Sequence, residues 1–257
     1  MRIATWNING LQARFDFLIH WLRARRPDIV ALQELKLADE KFPHEDLAAE
    51  GYSALSHGQK TWNGVAILSS KPMKPSQLGL PGQEHLGARL IGASVGGTSV
   101  VSVYCPNGRH VDDKEFGRKL AWLDGLATYL EQDGSAADPF ILCGDFNICP
   151  SGLDSWNEGR FQGQIFHTEA ERSRFRWLLD WGLIDAYRLR HPNKQAFSWW
   201  DYRAGAFHKN QGLRIDFLLM TRALANRIER IEIDRDYRKK KEGMTASDHA
   251  PVIADLN

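Results

Sequence analysis

The residues best suited to chemistry follow an apolar run in the middle of the chain. Residues 140–143 read Phe-Ile-Leu-Cys, and they lead through Gly144 to Asp145 and then to Asn147. If the run is a buried strand, side-chain alternation places Asp145 and Asn147 on one face at its end. Short polar residues in this position are also typical of a tight turn, and the segment taken alone favours the turn.

The ends of other apolar runs carry polar residues of the same kind. The candidate site residues are Asn7, Glu34, Tyr104, Asp145, Asn147, Asp248 and His249, with Asp216 inside a predicted strand. Carboxylate and carboxamide oxygens are ligands that a hard cation such as Mg²⁺ prefers, and the set contains no thiol. Asp216 is an orienting partner for His249, since a carboxylate can fix an imidazole. Because these residues lie far apart in the chain, their spacing alone does not establish a site.

The composition limits the classes of protein to consider. The chain has 257 residues, 43% hydrophobic and 25% charged, without a linker, which predicts one folded domain over residues 1–257. Its net charge is only +1, so any surface that binds nucleic acid must be a local patch of basic residues. Three cysteines without a CxxC pattern predict free thiols in a reducing compartment. No signal peptide or membrane-length run is present, so we expect a soluble, cytoplasmic protein with no membrane partner.

The elements that must position the candidate residues are mostly strands. Apolar runs predict strands at residues 2–7, 28–32, 52–56, 65–68, 90–95, 100–104, 140–143, 213–220, 227–235 and after residue 251. Amphipathic patterns predict helices that start near residue 15 and cover residues 113–131 and 169–181. The helices interrupt the strands without strict alternation. This order favours two packed sheets covered by helices over a doubly wound parallel sheet.

Eight short segments together resemble one family. They are residues 5–10, 32–36, 62–67, 104–108, 144–148, 197–203, 212–216 and 247–251. In this order, and over essentially the whole chain, they resemble the exonuclease III family of DNA-repair nucleases, within the endonuclease/exonuclease/phosphatase superfamily. The Trp-Asp-Tyr-Arg and Gly-Leu-Arg-Ile-Asp segments point to the exonuclease III branch.

The resemblance implies a fold, a cofactor and a ligand set. The implied fold is an α/β (α+β) four-layer sandwich, in which two mainly antiparallel β-sheets pack face to face, helices flank them and the site lies at one edge. The implied cofactor is Mg²⁺, with Mn²⁺ as a substitute, as one or two ions bound chiefly by Glu34. The full set of candidate metal ligands is Asn7, Glu34, Asp145, Asn147, Asp248 and His249.

The resemblance also implies roles in phosphodiester hydrolysis. Asp145 and Asn147 are expected to position and activate the attacking water, or to hold a second metal ion. His249, oriented by Asp216, is expected to contact the scissile phosphate. Tyr104 is expected to assist at the phosphate or at the leaving oxygen. Hydrolysis needs an activated water, a neutralised phosphate and a stabilised leaving oxygen, and these groups suit those needs.

On this basis we expect a Mg²⁺-dependent nuclease of duplex DNA that acts as a monomer. Its expected reactions are cleavage 5′ to abasic sites, 3′→5′ exonuclease activity and removal of blocking groups, including phosphate, from 3′ ends. Three alternatives stay open at this stage. They are a superfamily phosphatase, which should lack the aromatic and basic loop at residues 196–213, a nuclease directed at RNA, and an RNA-binding regulator that has lost active-site residues and does not cleave.

The aromatic and basic loop supplies the expected DNA contacts. By resemblance, Trp199, Leu213 and Ile215 form a small apolar pocket for a flipped abasic sugar, since a baseless nucleotide flips at low cost. Either Trp199 or Trp200 is expected to be a core residue instead. The expected DNA contacts outside the pocket are Trp200, Asn107, Arg109, Arg203, Lys209 and Arg214. The basic run at residues 238–241 fits a solvated loop equally well.

The insertion at residues 148–168 departs from the pattern of the family. It carries Trp156, Arg160, Phe161 and His167, which do not align clearly with family positions. A loop of this length in a compact domain is usually functional or mobile. His167 is either a surface histidine or a bulky residue near the site that shifts the enzyme from abasic cleavage towards 3′-end processing.

Overall fold

Twelve strands form two six-stranded sheets in the computed structural model, which describes all 257 residues. The strands are β1 (Arg2–Asn7), β2 (Ile29–Gln33), β3 (Ser53–His57), β4 (Val65–Ser69), β5 (Met73–Leu78), β6 (Leu90–Val95), β7 (Thr98–Tyr104), β8 (Phe140–Asp145), β9 (Leu183–Asp185), β10 (Asp216–Thr221), β11 (Ile228–Ile233) and β12 (Val252–Leu256). The first sheet has the order β11-β12-β1-β2-β4-β3, and the second has the order β5-β6-β7-β8-β10-β9.

Seven α-helices connect or cover these strands. They are α1 (Phe15–Arg25), α2 (His44–Ala49), α3 (Lys114–Asp133), α4 (Glu158–Phe161), α5 (Glu169–Asp180), α6 (Ala186–Arg190) and α7 (Arg222–Ala225). None of them combines the length and the apolar character that crossing a membrane requires. The helix predicted to start at Thr168 has a capping box there, because Thr168 and Glu171 exchange hydrogen bonds between side chain and backbone.

Three hydrophobic clusters define four layers. The cluster between the sheets contains Ile3, Ile141 and Leu218. A second cluster joins the outer face of the first sheet to α1 and α2, and a third joins the outer face of the second sheet to α3 and α5. The predicted four-layer sandwich is therefore confirmed.

Each sheet contains one parallel pair, β1 with β2 and β7 with β8, and all its other pairs are antiparallel. The prediction of mainly antiparallel sheets is therefore confirmed. Parallel neighbours end at the same edge of a sheet, so the ends of these four strands gather at one end of the sandwich.

Alternation along the strands brings the polar residues into the space between the sheets. In β8, Ile141 and Cys143 face the other sheet, so Asp145 faces it as well. Asn7 continues the inner row of β1 after Ile3 in the same way. In the register of the second sheet, Asp145 lies opposite both Tyr104 and Asp216. In β1 and β8, the row of side chains that faces the other sheet therefore ends in a polar residue, at the end of the sandwich that we call its mouth.

Three strands differ from the sequence predictions. The strand predicted from residue 213 starts only at Asp216, because Leu213 pairs with Trp199 and Ser155 in isolated bridges instead of joining β8. The sequence also gave no sign of β5 and β9. β5 is a largely exposed edge strand that contains Pro75, and β9 has only three residues, so neither shows a buried periodic pattern.

Candidate active site

A group of buried polar side chains lies where the inner rows of the two sheets end. The Asn7 amide nitrogen donates hydrogen bonds to Glu34 Oε1 at 2.8 Å and to Asp145 Oδ2 at 2.9 Å. Donor atoms of Glu34, Asp145 and His249 all lie within 4.8 Å of one another. Side chains from three distant parts of the chain thus converge on one point.

His249 is fixed between two carboxylates. Its Nδ1 lies 2.9 Å from Asp216 Oδ2, and its Nε2 lies 3.9 Å from Asp145 Oδ2. The Ser198 hydroxyl donates to the same Asp216 oxygen at 2.6 Å. Burial alone would lower the pKa of His249, but Asp216 and the neighbouring carboxylates outweigh burial and raise it. The geometry favours an imidazolium whose Nδ1 proton is bonded to Asp216 and whose Nε2 points into the site.

Asp145 and Asn147 form a turn as well as part of the site. The Asn147 backbone N–H donates to Asp145 Oδ1 at 2.9 Å, and the Asn147 side chain donates to Cys105 O at 3.0 Å. The turn and the functional interpretation are therefore compatible. Gly144 is required here, since its φ is +142° and a Cβ would lie 1.9 Å from Val103 O. Burial, followed by the negative charge of Asp216, raises the pKa of Asp145.

Glu34 lies in a left-handed conformation with a φ of +53°. Its Oε2 lies 2.8 Å from Lys36 Nζ, which also donates to Asn9 Oδ1 at 2.5 Å. Burial opposes ionisation of Glu34, but Lys36 and Asn7 lower its pKa overall. Sequence reasoning missed Lys36 and Asn9, although both lie in segments that carry the family resemblance.

Tyr104 is the last residue of β7 and lies beside Asp145 at the same end of the sandwich. Burial, then the charges of Glu34 and Asp145, raise the pKa of its phenol, so the phenol keeps its proton. The Arg89 guanidinium lies 4.8 Å from the ring and donates to Tyr104 O at 3.1 Å. Tyr104 is thus available as a hydrogen-bond donor rather than as a base.

Asp248 lies beside this group with both oxygens already hydrogen-bonded. Asn9 Nδ2 donates to its Oδ1 at 2.7 Å, and Trp199 Nε1 donates to its Oδ2 at 3.0 Å. Asp248 therefore connects the polar group to the predicted sugar pocket. The backbone carbonyl of its neighbour His249 accepts a hydrogen bond from Trp6 Nε1 at 3.1 Å, a support that the sequence did not reveal.

The donor set fits a divalent cation. Three carboxylates, Glu34, Asp145 and Asp216, crowd one imidazole, and the pKa of Asp145 is raised by that crowding as well as by burial. A bound cation would relieve this excess of negative charge. Hard oxygen donors with one imidazole match Mg²⁺ or Mn²⁺, and the cysteines are buried elsewhere.

The residues of the predicted sugar pocket lie together. Leu213 and Ile215 form a small buried cluster with Cys149, and Trp199 packs against it. The ring centroid of Trp199 lies 6.5 Å from that of His249. An apolar cluster thus adjoins the polar group.

Two predictions about this loop are wrong. Trp200 is 1% exposed and packs with Phe197 and Ala250, so its indole is not available to DNA, and the alternative expectation that one of Trp199 and Trp200 is a core residue is confirmed. Arg214 is also 1% exposed. Its Nε lies 2.6 Å from Asp154 Oδ1 and its Nη2 lies 2.8 Å from Asp185 Oδ2, so its charge is used inside the protein.

The Arg214 ion pairs predict a stability defect without a defect in DNA binding. In Arg214→Met, buried Asp185 loses its ion-pair partner and Asp154 keeps only Arg188, which is expected to cost about 3–5 kcal/mol. For a chain of this size the melting temperature should then fall by about 6–20 °C. The DNA dissociation constant, measured where the variant is folded, should stay unchanged.

Arg203→Met is the matched comparison, since the Arg203 side chain is 88% exposed. It should leave the melting temperature unchanged. The slope of the logarithm of the DNA association constant against the logarithm of salt concentration should fall by about one unit, because one phosphate contact is lost. The assignment of Arg214 would be wrong if its variant melted normally and bound DNA weakly.

The remaining predicted DNA contacts lie at the protein surface. Asn107, Arg109, Arg203 and Lys209 are exposed. Arg238, in contrast, is 9% exposed and donates to the backbone carbonyls of Asp248 and Trp200, so the first residue of the basic run at 238–241 is not solvated.

His167 is not a surface histidine. It is 3% exposed, its Nε2 lies 2.9 Å from Ser155 Oγ, and its ring stacks on Phe161. The surface alternative is therefore wrong. The effect of His167 on the choice between abasic and 3′-end substrates stays a prediction.

A four-layer sandwich that closes around buried carboxylates and an Asp-paired histidine defines a class of phosphoester hydrolases. The chain belongs to the endonuclease/exonuclease/phosphatase family, whose profile matches residues 4–249. Within it, the chain is a DNA nuclease of the exonuclease III and AP endonuclease type. The exodeoxyribonuclease III of Haemophilus influenzae is 36% identical over 269 aligned residues that cover all of both chains.

Two solved structures share the fold over the whole chain. One is the 3′ phosphatase NExo from Neisseria bound to a product DNA hairpin, with a TM-score of 0.95, 37% identity, and coverage of 100% of this chain and 99% of that one. The other is an AP endonuclease from Archaeoglobus fulgidus, with a TM-score of 0.96, 32% identity and the same coverage. These likenesses confirm the predicted family.

Proposed function

We propose that the protein is a Mg²⁺-dependent DNA-repair nuclease that hydrolyses phosphodiesters in duplex DNA. Its reactions are cleavage 5′ to abasic sites, 3′→5′ exonuclease activity and removal of blocking groups, including phosphate, from 3′ ends. The observation that carries the proposal is the convergence of Glu34, Asp145 and His249 beside the apolar cluster against which Trp199 packs. The names of its relatives support the same substrate class.

The attacking water would be handled by Asp145 and Asn147. The Asp145 carboxylate is held by the Asn7 amide and by the Asn147 N–H, which leaves one lone pair on each oxygen for a further partner. Its raised pKa brings it closer to that of an effective proton acceptor at neutral pH. The proposed step is transfer of a water proton to Asp145 while the water oxygen attacks phosphorus, the bond from phosphorus to the leaving 3′ oxygen breaks, and that oxygen takes a proton from Tyr104 or from solvent.

The phosphate would be held by His249 and Tyr104. The imidazolium of His249 offers its Nε2 proton to a phosphate oxygen, and Asp216 keeps the ring in that orientation. The protonated phenol of Tyr104 donates to the phosphate or to the leaving oxygen. Both donors act in a water-poor site, where preorganised hydrogen bonds stabilise developing charge strongly.

Glu34 is the principal proposed ligand of the cation, with Asn7 and Asp248 as further ligands. When bound, a divalent cation supplies Lewis-acid stabilisation of charge that develops on the phosphate oxygens. Trp199, Leu213 and Ile215 would receive the flipped sugar. Asn107, Arg109, Arg203 and Lys209 would contact DNA around it. We further propose that residues 1–257 form one domain that acts as a monomer.

The test is an assay of purified protein on defined duplexes with and without Mg²⁺. The panel contains an abasic site, a 3′-recessed end, a 3′-phosphate, an RNA–DNA hybrid and a soluble phosphoinositide. We expect metal-dependent cleavage of at least the abasic or the 3′-end substrates. Activity on the phosphoinositide alone, or on RNA alone, would overturn the proposal.

Cation binding predicts a thermal shift that depends on Glu34. A cation at a hundredfold excess over its dissociation constant stabilises the folded state by about 2.7 kcal/mol. For a chain of this size that corresponds to a rise in melting temperature of about 5–11 °C. We expect Mg²⁺ to produce such a rise in the wild type and little rise in Glu34→Gln. The exposed Glu45→Gln should respond like the wild type. An equal shift in all three proteins would contradict the ligand assignment.

The pocket assignment predicts that Trp199 matters most for abasic substrates. In Trp199→Ala the loss of apolar contact with the sugar should reduce kcat/KM for abasic cleavage by about 10- to 150-fold, the range expected for about 1.5–3 kcal/mol of buried apolar surface. Removal of a 3′-phosphate should fall less, because it needs no flipped sugar. Trp199→Phe retains a ring but removes the N–H donated to Asp248, so it separates packing from this hydrogen bond. Equal losses for both substrates would count against the pocket.

A further inference from the structure

A fully buried ion pair lies beneath the active-site loops and outside the group described above. Lys119 in α3 and Glu171 in the first turn of α5 have side chains that are both 0% exposed and in direct contact. Removing two charges from water is costly, and an apolar pair of similar size is often at least as stabilising. Overall stability is therefore a weak explanation for this pair, and its other contacts are more informative.

The Lys119 ammonium holds two loops of the site by their backbones. It donates to Asn147 O at 2.6 Å and to Asn107 O at 3.3 Å, and its third donor serves Glu171. No backbone N–H reaches either of these carbonyls, and Lys119 is their one hydrogen-bond donor within the protein. The lysine stem also supports the second loop, since a Cβ on Gly108 would lie 3.1 Å from Lys119 Cδ.

Glu171 in turn fixes the ammonium. Its Oε1 accepts from the Phe166 N–H at 3.0 Å, and its Oε2 accepts from Thr168 N at 3.1 Å and Thr168 Oγ1 at 2.6 Å. The carboxylate is thus anchored to the N-terminus of α5. Neither side chain of the pair has freedom to move without breaking several hydrogen bonds.

The loops that Lys119 holds have unfavourable backbone conformations. Asn147 has a φ of +51° and Arg109 a φ of +59°, and neither is glycine. Such conformations persist only where the surroundings enforce them. We propose that Lys119, anchored by Glu171, is a positioning residue that sets the Asn147 turn and the Asn107 loop in their working geometry.

This inference rests on the proposed function, in which Asn147 positions the attacking water and Asn107 contacts DNA. Lys119 does not touch the reacting groups, so it acts through Asn147. Its loss should affect the rate of the bound complex more than the affinity for DNA. Small displacements of a positioning group cost large factors in rate.

The test compares two variants that both lack the Glu171 carboxylate and differ only in whether Lys119 is present. Glu171→Gln leaves the buried lysine without its carboxylate partner, which is expected to destabilise the fold, but keeps the donors to both carbonyls. Lys119→Met/Glu171→Gln has no buried charge but leaves both carbonyls without a donor. We expect the double variant to show a kcat at least about tenfold below that of Glu171→Gln at saturating DNA, with the DNA dissociation constant within about threefold.

A second readout does not depend on catalysis. Amide hydrogen exchange measured by mass spectrometry should be faster at residues 105–109 and 146–149 in the double variant than in Glu171→Gln, with little change in β1 and β2. Leu126→Ala is the control for destabilisation alone, because Leu126 is a buried core residue of the same helix. It should lower the melting temperature without slowing kcat or loosening these two loops.

Equal exchange at residues 105–109 and 146–149 in the two variants, or an equal kcat for them, would overturn the inference. A kcat loss in Leu126→Ala as large as in the double variant would overturn it too. If the wild type cleaved no DNA, the proposed function would fail, while the exchange data would still decide whether Lys119 holds the loops.

Discussion

Asp145→Asn is expected to bind duplex DNA and to cleave it at least about 1,000-fold more slowly than the wild type, within the range of about 10²–10⁴ for loss of a general base. The substitution preserves size and can keep an acceptor oxygen for the Asn147 N–H. It removes the negative charge that accepts a proton or contributes to the cation site. Both proposed roles of Asp145 need that charge, so both predict the same large loss.

The measurement is single-turnover cleavage of an abasic duplex, together with a DNA dissociation constant in the absence of cleavage. Affinity should be equal to that of the wild type or higher, since a negative charge facing the phosphate is removed. Asp180→Asn, the same substitution at an exposed helix position, is the control and should cleave normally. A kcat within tenfold of the wild type would remove Asp145 from the reaction.

The two roles of Asp145 can be separated by the metal dependence of the variant. If Asp145 holds a cation, the concentration of Mg²⁺ or Mn²⁺ needed for half-maximal residual activity should rise in Asp145→Asn. If Asp145 accepts only the proton, that concentration should stay within about threefold of the wild type. The distinction left open by the sequence is thus accessible to one titration.

Much of this site could be predicted from the sequence because strand periodicity determines which face a side chain occupies. The apolar run before Asp145 indicates a buried strand, and alternation then places Asp145 on the inner face. The turn at Asn147 follows from local chemistry alone, since a short carboxylate can accept from the backbone two residues on. Local rules of this kind need no knowledge of the partner strand.

The wrong prediction for Arg214 arose because its ion-pair partners are distant from it in the chain. Arg214 in a basic and aromatic loop fits a DNA contact until its partners Asp154 and Asp185 are known. These partners precede it by 60 and 29 residues, and no local pattern connects them. A charged side chain can be buried when its partners are buried with it, and composition gives no sign of that pairing.

The same limit explains what the sequence did not reveal about support beneath the site. Gln33 donates to Ser102 Oγ at 3.0 Å and to Thr5 Oγ1 at 3.1 Å, which joins the two sheets just below Glu34 and Asp145. All three residues are ordinary polar positions within strands. Only the packing of one sheet on the other gives them a common role.

His249→Gln is expected to reduce kcat by about 1,000-fold, because a charged donor to the phosphate is replaced by a neutral one in a site where charge is weakly screened. Asp216→Asn should reduce kcat less, by about 10- to 100-fold, since the imidazole remains but loses the carboxylate that orients and charges it. Melting temperatures of both variants should show that they are folded at the assay temperature.

The double variant His249→Gln/Asp216→Asn distinguishes an orienting role for Asp216 from an independent one. If Asp216 acts only through His249, the double variant should cleave as fast as His249→Gln alone, because the effects of residues that act as a unit are not additive. Asp216 also raises the pKa of Asp145, so an independent electrostatic contribution is the specific competing explanation. A double variant slower than His249→Gln by the full factor of Asp216→Asn would establish that contribution and reject the purely orienting role.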